Sequence, residues 1–304
     1  MPFRNQVHID VLLANVSVKY SNKNYIAEQV FPRVSVKKDS DLYRTWVRNF
    51  RIPETRRADR ARSREYYFEV STGNYALERH ALSAMIGDRE AANYDIADLL
   101  ADTTEALTDA LDRRRELNVA TLFTTTNWSL NVSLAATAAF SANTTVSNPI
   151  PIFDTAATTI IANGGGGGDM IKFGILPRNG FVSCKNHVSV LDRTKYTSAE
   201  MTLSMLQALF DLQQLLVPQA VQDTAALGIA DVIANIWGDN AFVGYKPSSP
   251  GPLKASAGYM FGYERPLVKR WREEAHASEC VEVEREEVPK VVASLSGYLI
   301  RDID

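Results

Sequence analysis

The sequence predicts an α+β chain with an extended N-terminal arm, a long β-hairpin loop, one long helix, a mixed α/β domain and closing strands. Three observations predict it. Residues 42–50 put Leu42, Arg44, Trp46, Arg48 and Phe50 on one face and Tyr43, Thr45, Val47 and Asn49 on the other, and residues 64–71 repeat this period of two. Residues 89–123 contain no proline or glycine and space Ile96, Leu99, Leu100, Leu107, Leu111 and Leu122 as a helix does. Beyond residue 150, short β-branched and aromatic runs alternate with helix-like stretches.

Taken in order, residues 1–40 mix short apolar clusters with Asn, Ser, Lys and Pro32, which suits an extended arm better than a packed helix. The two strand-like runs flank a polar tip at 51–63 and together read as a long hairpin. The 35 residues from 89 to 123 would form a rod of about 50 Å, with 112–116 as the place where it would break. Residues 124–151, rich in Thr, Ala, Ser and Asn, read as loops or short strands. Asp154 caps a helix-like stretch ended by glycines, and "FGILPRNGFVSC" reads as a strand and turn. Residues 198–212 read as an amphipathic helix. "QLLVPQAV", "DVIANIW" and "NAFVGYKP" read as strands, and 247–252 as a surface loop. Cys280, Glu282, Glu284 and Glu286 alternate with Val281, Val283 and Arg285, again at strand period.

The totals bound the function. A chain of 304 residues with 45% apolar content can bury a substantial core. Its net charge of −3 argues against a general nucleic-acid binder, so any such contact must be local. Cys184 and Cys280 are too few for a disulfide framework or a zinc site and read as reduced, buried thiols. No apolar run is long enough to span a membrane, and the start of the sequence lacks a secretory leader pattern, so a cytoplasmic chain is expected.

Catalytic chemistry finds little support. The five glycines at 164–168 are followed by Asp169-Met170-Ile171 rather than the Lys-Ser/Thr of a phosphate cradle, so a flexible surface loop is expected. Cys184 and His187 could bring a thiol near an imidazole, which leaves a cysteine hydrolase as an alternative of a different class, but no local residue would orient the base. His8, His80 and His276 stand alone, without metal spacing. No catalytic, cofactor-binding or metal residue is assigned.

Charge is the more informative signal. Residues 44–64 hold eight arginines against Glu54 and Asp59, a local excess of +6, whereas 273–287 hold seven glutamates against Arg285, a local excess of −6. Arginine offers a planar fork suited to carboxylate or phosphate. A two-stranded ribbon is marginal in water and must rest on another surface. Three readings stay open for the tip: a neighbouring copy's acidic strand, nucleic acid, or a solvated loop. The first is favoured by the opposite charges. It names Arg44, Trp46, Arg48, Arg56, Arg57, Arg60, Arg62, Arg64, Tyr66 and Phe68 as contacts on one side and Glu273, Glu274, Glu279, Glu282, Glu284 and Glu286 on the other. Such a subunit would assemble head to tail.

The order of arm, hairpin, long helix, α/β domain and terminal strands, with "GYMFGYERPLVKRW" at 258–271 as the re-entry segment, resembles the major capsid protein of tailed bacteriophages. The resemblance implies an N-terminal arm at 1–40, an extended hairpin loop at 41–88, a peripheral domain with a spine helix at 89–151, an axial domain at 152–257, and a return to the peripheral domain at 258–304. It also implies a structural protein, not an enzyme, that self-assembles through pentamers and hexamers into an icosahedral shell around double-stranded DNA. Its partners would be a portal, a separate scaffolding protein and decoration proteins, in a virion assembled in the host cytoplasm. A nanocompartment shell of the same fold is the alternative within this class. No lysine occurs from residue 39 to residue 170, so the lysine isopeptide weld of some relatives is closed to this hairpin.

Overall fold

The structure, a computed structural model, describes residues 25–46, 52–65, 70–93, 99–134, 137–167, 170–195, 201–226, 228–251, 254–263 and 266–304. Two sheets organise it, and one helix runs across both. The first sheet is built on β13 (Ser278–Val291), whose alternating valines and charged residues suit a strand with two differently used faces. One edge of β13 carries β4 (Glu78–Gly87). The other carries β12 (Leu267–Glu273) and then β11 (Gly258–Gly262), all antiparallel to it. A short parallel strand, β1 (Arg33–Ser35), closes the β11 side.

The long helix α3 (Leu99–Ala120) lies on one face of this sheet. Its buried residues Thr104, Thr108, Leu111, Asp112, Arg115, Glu116 and Val119 recur every three or four positions, so they form one stripe. Leu111, with half-buried Leu100 and Leu107, packs on Val268, Val281 and Val283. The hydroxyls of Thr104 and Thr108 donate to carbonyls four residues back, at 2.7 Å each, so neither is left unsatisfied where it is buried. Further along, Val119 and Phe123 enter the second core beside Trp128 and Phe242.

The second sheet runs in the order β5 (Asn131–Ser133), β14 (Gly297–Arg301), β10 (Ala241–Pro247), β6 (Met170–Ile175), β7 (Gln214–Leu216). The strand alternation sends Ala241, Val243 and Tyr245 into one core, with α4 (Pro149–Ala162), α5 (Arg178–Asn186), α6 (Val188–Thr194) and α7 (Leu203–Leu209). Phe242, Phe173 and Ile175 point into the opposite core, shared with α3 and the N-terminal segment. A small hairpin of β8 (Val221–Asp223) and β9 (Ile233–Asn235) projects from that side.

Several expectations are corrected. The arm is packed rather than free over residues 25–34: α1 (Ala27–Val30) buries Ala27 and Val30, Ile26 and Phe31 sit in the core beside them, and residues 37–40 are exposed. Lys246 fastens it further. Its Nζ donates to the Gln29 carbonyl and to Gln214 Oε1 (2.7 Å), and burial pushes its pKa down to about 8. The rod expected at 89–123 is described as α2 (Asp88–Asn93) and α3, with 94–98 outside the described residues. No break occurs at 112–116, because Asp112 and Arg115 find charged partners across the sheet. Helix α4 starts at Pro149 with Asn148 as its cap (Oδ1 accepts from Ile150 N, 3.1 Å), not at Asp154. Residues 178–186 are helix rather than turn. The glycine run is no free loop at Gly165, where an added Cβ would lie 1.7 Å from the Leu295 carbonyl oxygen. Residues 131–134 and 297–303 belong to the second sheet and its core.

Candidate assembly interface

The hairpin is present, with β2 (Ser40–Trp46) paired to β3 (Val70–Ala76) from Ser40 opposite Ala76 to Trp46 opposite Val70. Its root is pinned to its own body, because Tyr43 and Tyr75 pack on Phe261 with ring centroids 5.1 and 4.9 Å away. Its tip is not. Every residue from 52 to 65 is exposed, including Ile52 at 96%. The chain turns at Asp59-Arg60, where Arg60 adopts φ +60°. Within the tip Arg62 pairs with Glu65 (3.0 Å), and Arg57 donates to the Ala61 carbonyl. Among the described residues no carboxylate pairs with Arg44, Arg56, Arg57, Arg60 or Arg64. Arg48, Tyr66 and Phe68, and the side chain of Trp46, lie outside the described residues.

The acidic strand is a different case. Sequence counting sees seven glutamates, but the fold brings a lysine or arginine to six of them. On the face away from α3, Lys269 bonds Glu282 (2.7 Å) and Glu284, while Arg79 of β4 bonds Glu284 (2.8 Å) and Glu286 (3.0 Å). Burial pushes the Glu284 pKa up, but Lys269 and Arg79 outweigh it and hold the carboxyl below its usual range. Arg270 meets Glu279 at 2.6 Å, Arg272 meets Glu274 at 3.3 Å, and His276 stands 3.6 Å from Glu273. Glu287 is gripped by Arg115 through two bonds, at 2.7 and 3.0 Å. The strand therefore presents a neutralised ladder, not a row of bare acceptors. The partners of Glu282, Glu284, Glu286 and Glu287 come from β4, β12 and α3, at least 13 positions away along the chain.

The Cys184 and His187 pair is not a catalytic arrangement. Both are fully buried, and burial in an apolar core pushes the Cys184 thiol up, away from the nucleophilic thiolate. His187 Nδ1 accepts from Ser189 N (3.2 Å), so Nε2 carries the proton and donates to Ser147 Oγ (2.9 Å). Burial lowers its pKa. With both ring nitrogens engaged in holding α6 and the 144–147 turn, the imidazole has no lone pair to offer a thiol. The hydrolase alternative is thereby corrected. Among the described residues there is no cluster of metal-ligating side chains and no helix long and apolar enough to cross a membrane.

No protein-family model matches the chain. It is 25% identical over 307 residues to the major capsid protein of Burkholderia phage BcepMu, covering 97% of each sequence. Among solved structures, a phage-related protein from Bordetella bronchiseptica RB50 superposes with a TM-score of 0.79 at 24% identity, over 97% of each chain. The capsid of cyanophage P-SCSP1u superposes with a TM-score of 0.63 at 13% identity, covering 99% of this chain and 92% of that one. The fold is that of a phage capsid protein.

Proposed function

We propose that this chain is a major capsid subunit that self-assembles into the icosahedral shell of a tailed phage, as a structural component and not an enzyme. The observation that carries the reading is similarity from end to end, 97% of both sequences, to a phage major capsid protein. The exposed tip supports it, since a ribbon with no cover of its own is completed by a neighbour.

In this reading α3 is the spine helix, the first sheet is the core of the peripheral domain, and the second sheet is the core of the axial domain around pentamer and hexamer centres. Arg44, Arg56, Arg57, Arg60, Arg62 and Arg64 reach onto an adjacent copy. The glutamates of β13 take part by sharing cations they already hold. Double-stranded DNA is enclosed without sequence recognition. A portal, a scaffolding protein and decoration proteins complete a virion assembled in the host cytoplasm. Negative-stain microscopy of the purified protein tests the reading: closed particles or capsomers are expected, and a chain that stays monomeric at high concentration overturns it.

A further inference from the structure

We propose that the β8–β9 hairpin of one copy docks on the α5–α6 helix pair of the next, closing a ring of subunits. The proposal rests on the shell reading and names the surfaces that would carry it.

The hairpin is a projection that exposes a cluster of large apolar side chains. Val221, Ile229, Val232 and Ile233 are between 45% and 66% exposed. The register sets Val221 opposite Asn235 and Asp223 opposite Ile233, all on the outward face, while Gln222 and Ala234 are half-buried toward the body. The tip is held in shape: Asp223 accepts from Ala225 N and Val232 N, at 2.9 Å each, and these bonds keep its carboxyl below the usual range. A two-stranded ribbon that turns apolar side chains to water calls for a partner.

The α5–α6 pair offers a second exposed apolar set in Val182, Val188 and Leu191, between 41% and 50% exposed. Charge matches the two. Residues 221–235 carry Asp223 and Asp231 and no cation, whereas 178–195 carry Arg178, Lys185, Arg193 and Lys195 against Asp192. Position then decides that the contact joins different copies. Cys184 and Val190 of the helix pair share a core with Ala241 and Val243, whereas Ala220 and Ile236 at the hairpin root share a core with Phe242. Neighbouring residues of one strand face opposite ways, so the two patches lie on opposite sides of the same sheet. No chain can cover its own helix pair with its own hairpin. Two unlike patches that complement each other give a head-to-tail contact, which closes into a ring when the rotation permits.

The test uses two variants of the full chain: Ile229→Lys with Ile233→Lys on the hairpin, and Val188→Glu with Leu191→Glu on the helices. Circular dichroism checks that each folds. Sedimentation velocity is expected to show at least a tenfold loss of rings and particles for each variant alone. An equimolar mixture is expected to give back association, starting from 1:1 dimers in which one intact hairpin meets one intact helix pair. Folded variants that assemble like the native chain, or a mixture that stays monomeric, overturn the docking and leave the shell reading standing. A native chain that never forms particles overturns the shell reading, while the mixture still reads the patch contact on its own.

Discussion

Changing Arg115→Met should remove one of the strongest internal ties of the subunit. Arg115 is 9% exposed and holds Glu287, itself 5% exposed, through Nε and Nη2 at 2.7 and 3.0 Å, while Nη1 reaches Glu28 at 2.7 Å. Deleting Arg115 leaves Glu287 only the longer contact with Arg33 Nη2 at 3.9 Å, and breaking a buried pair in this way costs about 3–5 kcal/mol. An unfolding entropy of about 2.1 cal/mol/K per residue over 304 residues is roughly 0.6 kcal/mol/K, so Tm should fall by about 5–8 °C. Calorimetry of the unassembled chain at pH 7 measures this directly. Arg115→Met combined with Glu287→Met should recover most of the loss, because two well-packed apolar side chains replace a pair whose desolvation was already expensive. The pH dependence adds a second readout. Burial pushes the Glu287 pKa up, but Arg115 outweighs it and sets the native value below the unfolded one. The contribution of Glu287 is then full above about pH 4.3 and disappears as pH falls through the native pKa, so wild type and double variant should converge there. A single variant within 1 kcal/mol of wild type, or a double variant no better than the single, would refute the reasoning.

Three further outcomes are expected. Reversing Arg56, Arg57 and Arg60 to glutamate should abolish particles while leaving the circular dichroism spectrum unchanged, because the one described bond of these side chains, from Arg57 to the Ala61 carbonyl, stays within the tip; normal particles by electron microscopy would remove the tip from its proposed role. Gly165→Ala should destabilise by about 3 kcal/mol, since the new methyl meets the Leu295 backbone rather than a side chain that could turn away; unchanged urea unfolding would mean that the loop yields. His187 has a native pKa lowered by burial, so the stability it contributes is complete above about pH 6.5 and is lost as pH falls below that value. Wild type should therefore lose more Tm than His187→Asn between pH 7.5 and pH 5, and parallel losses would count against that role.

The readable parts of this chain were those whose pattern is local. The strand period of 280–286 and the helical spacing of the leucines up to Leu111 reappear, and the hairpin around the arginine tip does so with its described strands at Ser40–Trp46 and Val70–Ala76 in place of 42–50 and 64–71. The misread parts depend on distant partners. Residues 33–35 pair with 260–262, more than two hundred positions away, so nothing near the arm announces that it is buried. Helix α5 contains Asn179 and Gly180, which suggest a turn; yet Gly180 is where the helix passes Ile303, and an added Cβ would sit 2.4 Å from its Cδ1. The acidic strand misled for the same reason. Its charge was counted correctly along the chain, but the cations that answer it arrive from β4, β12 and α3.

The placement of β13 has a consequence for biosynthesis. This strand is the middle of its sheet, yet it leaves the ribosome nearly two hundred residues after β4, the strand it must join. Until residue 291 has emerged, β4 and the hairpin that precedes it have no sheet to belong to, and closing so long a loop makes folding slow. A growing chain therefore has no finished surface to offer its siblings. In the shell reading, copies still missing residue 291 are thereby kept out of assembly.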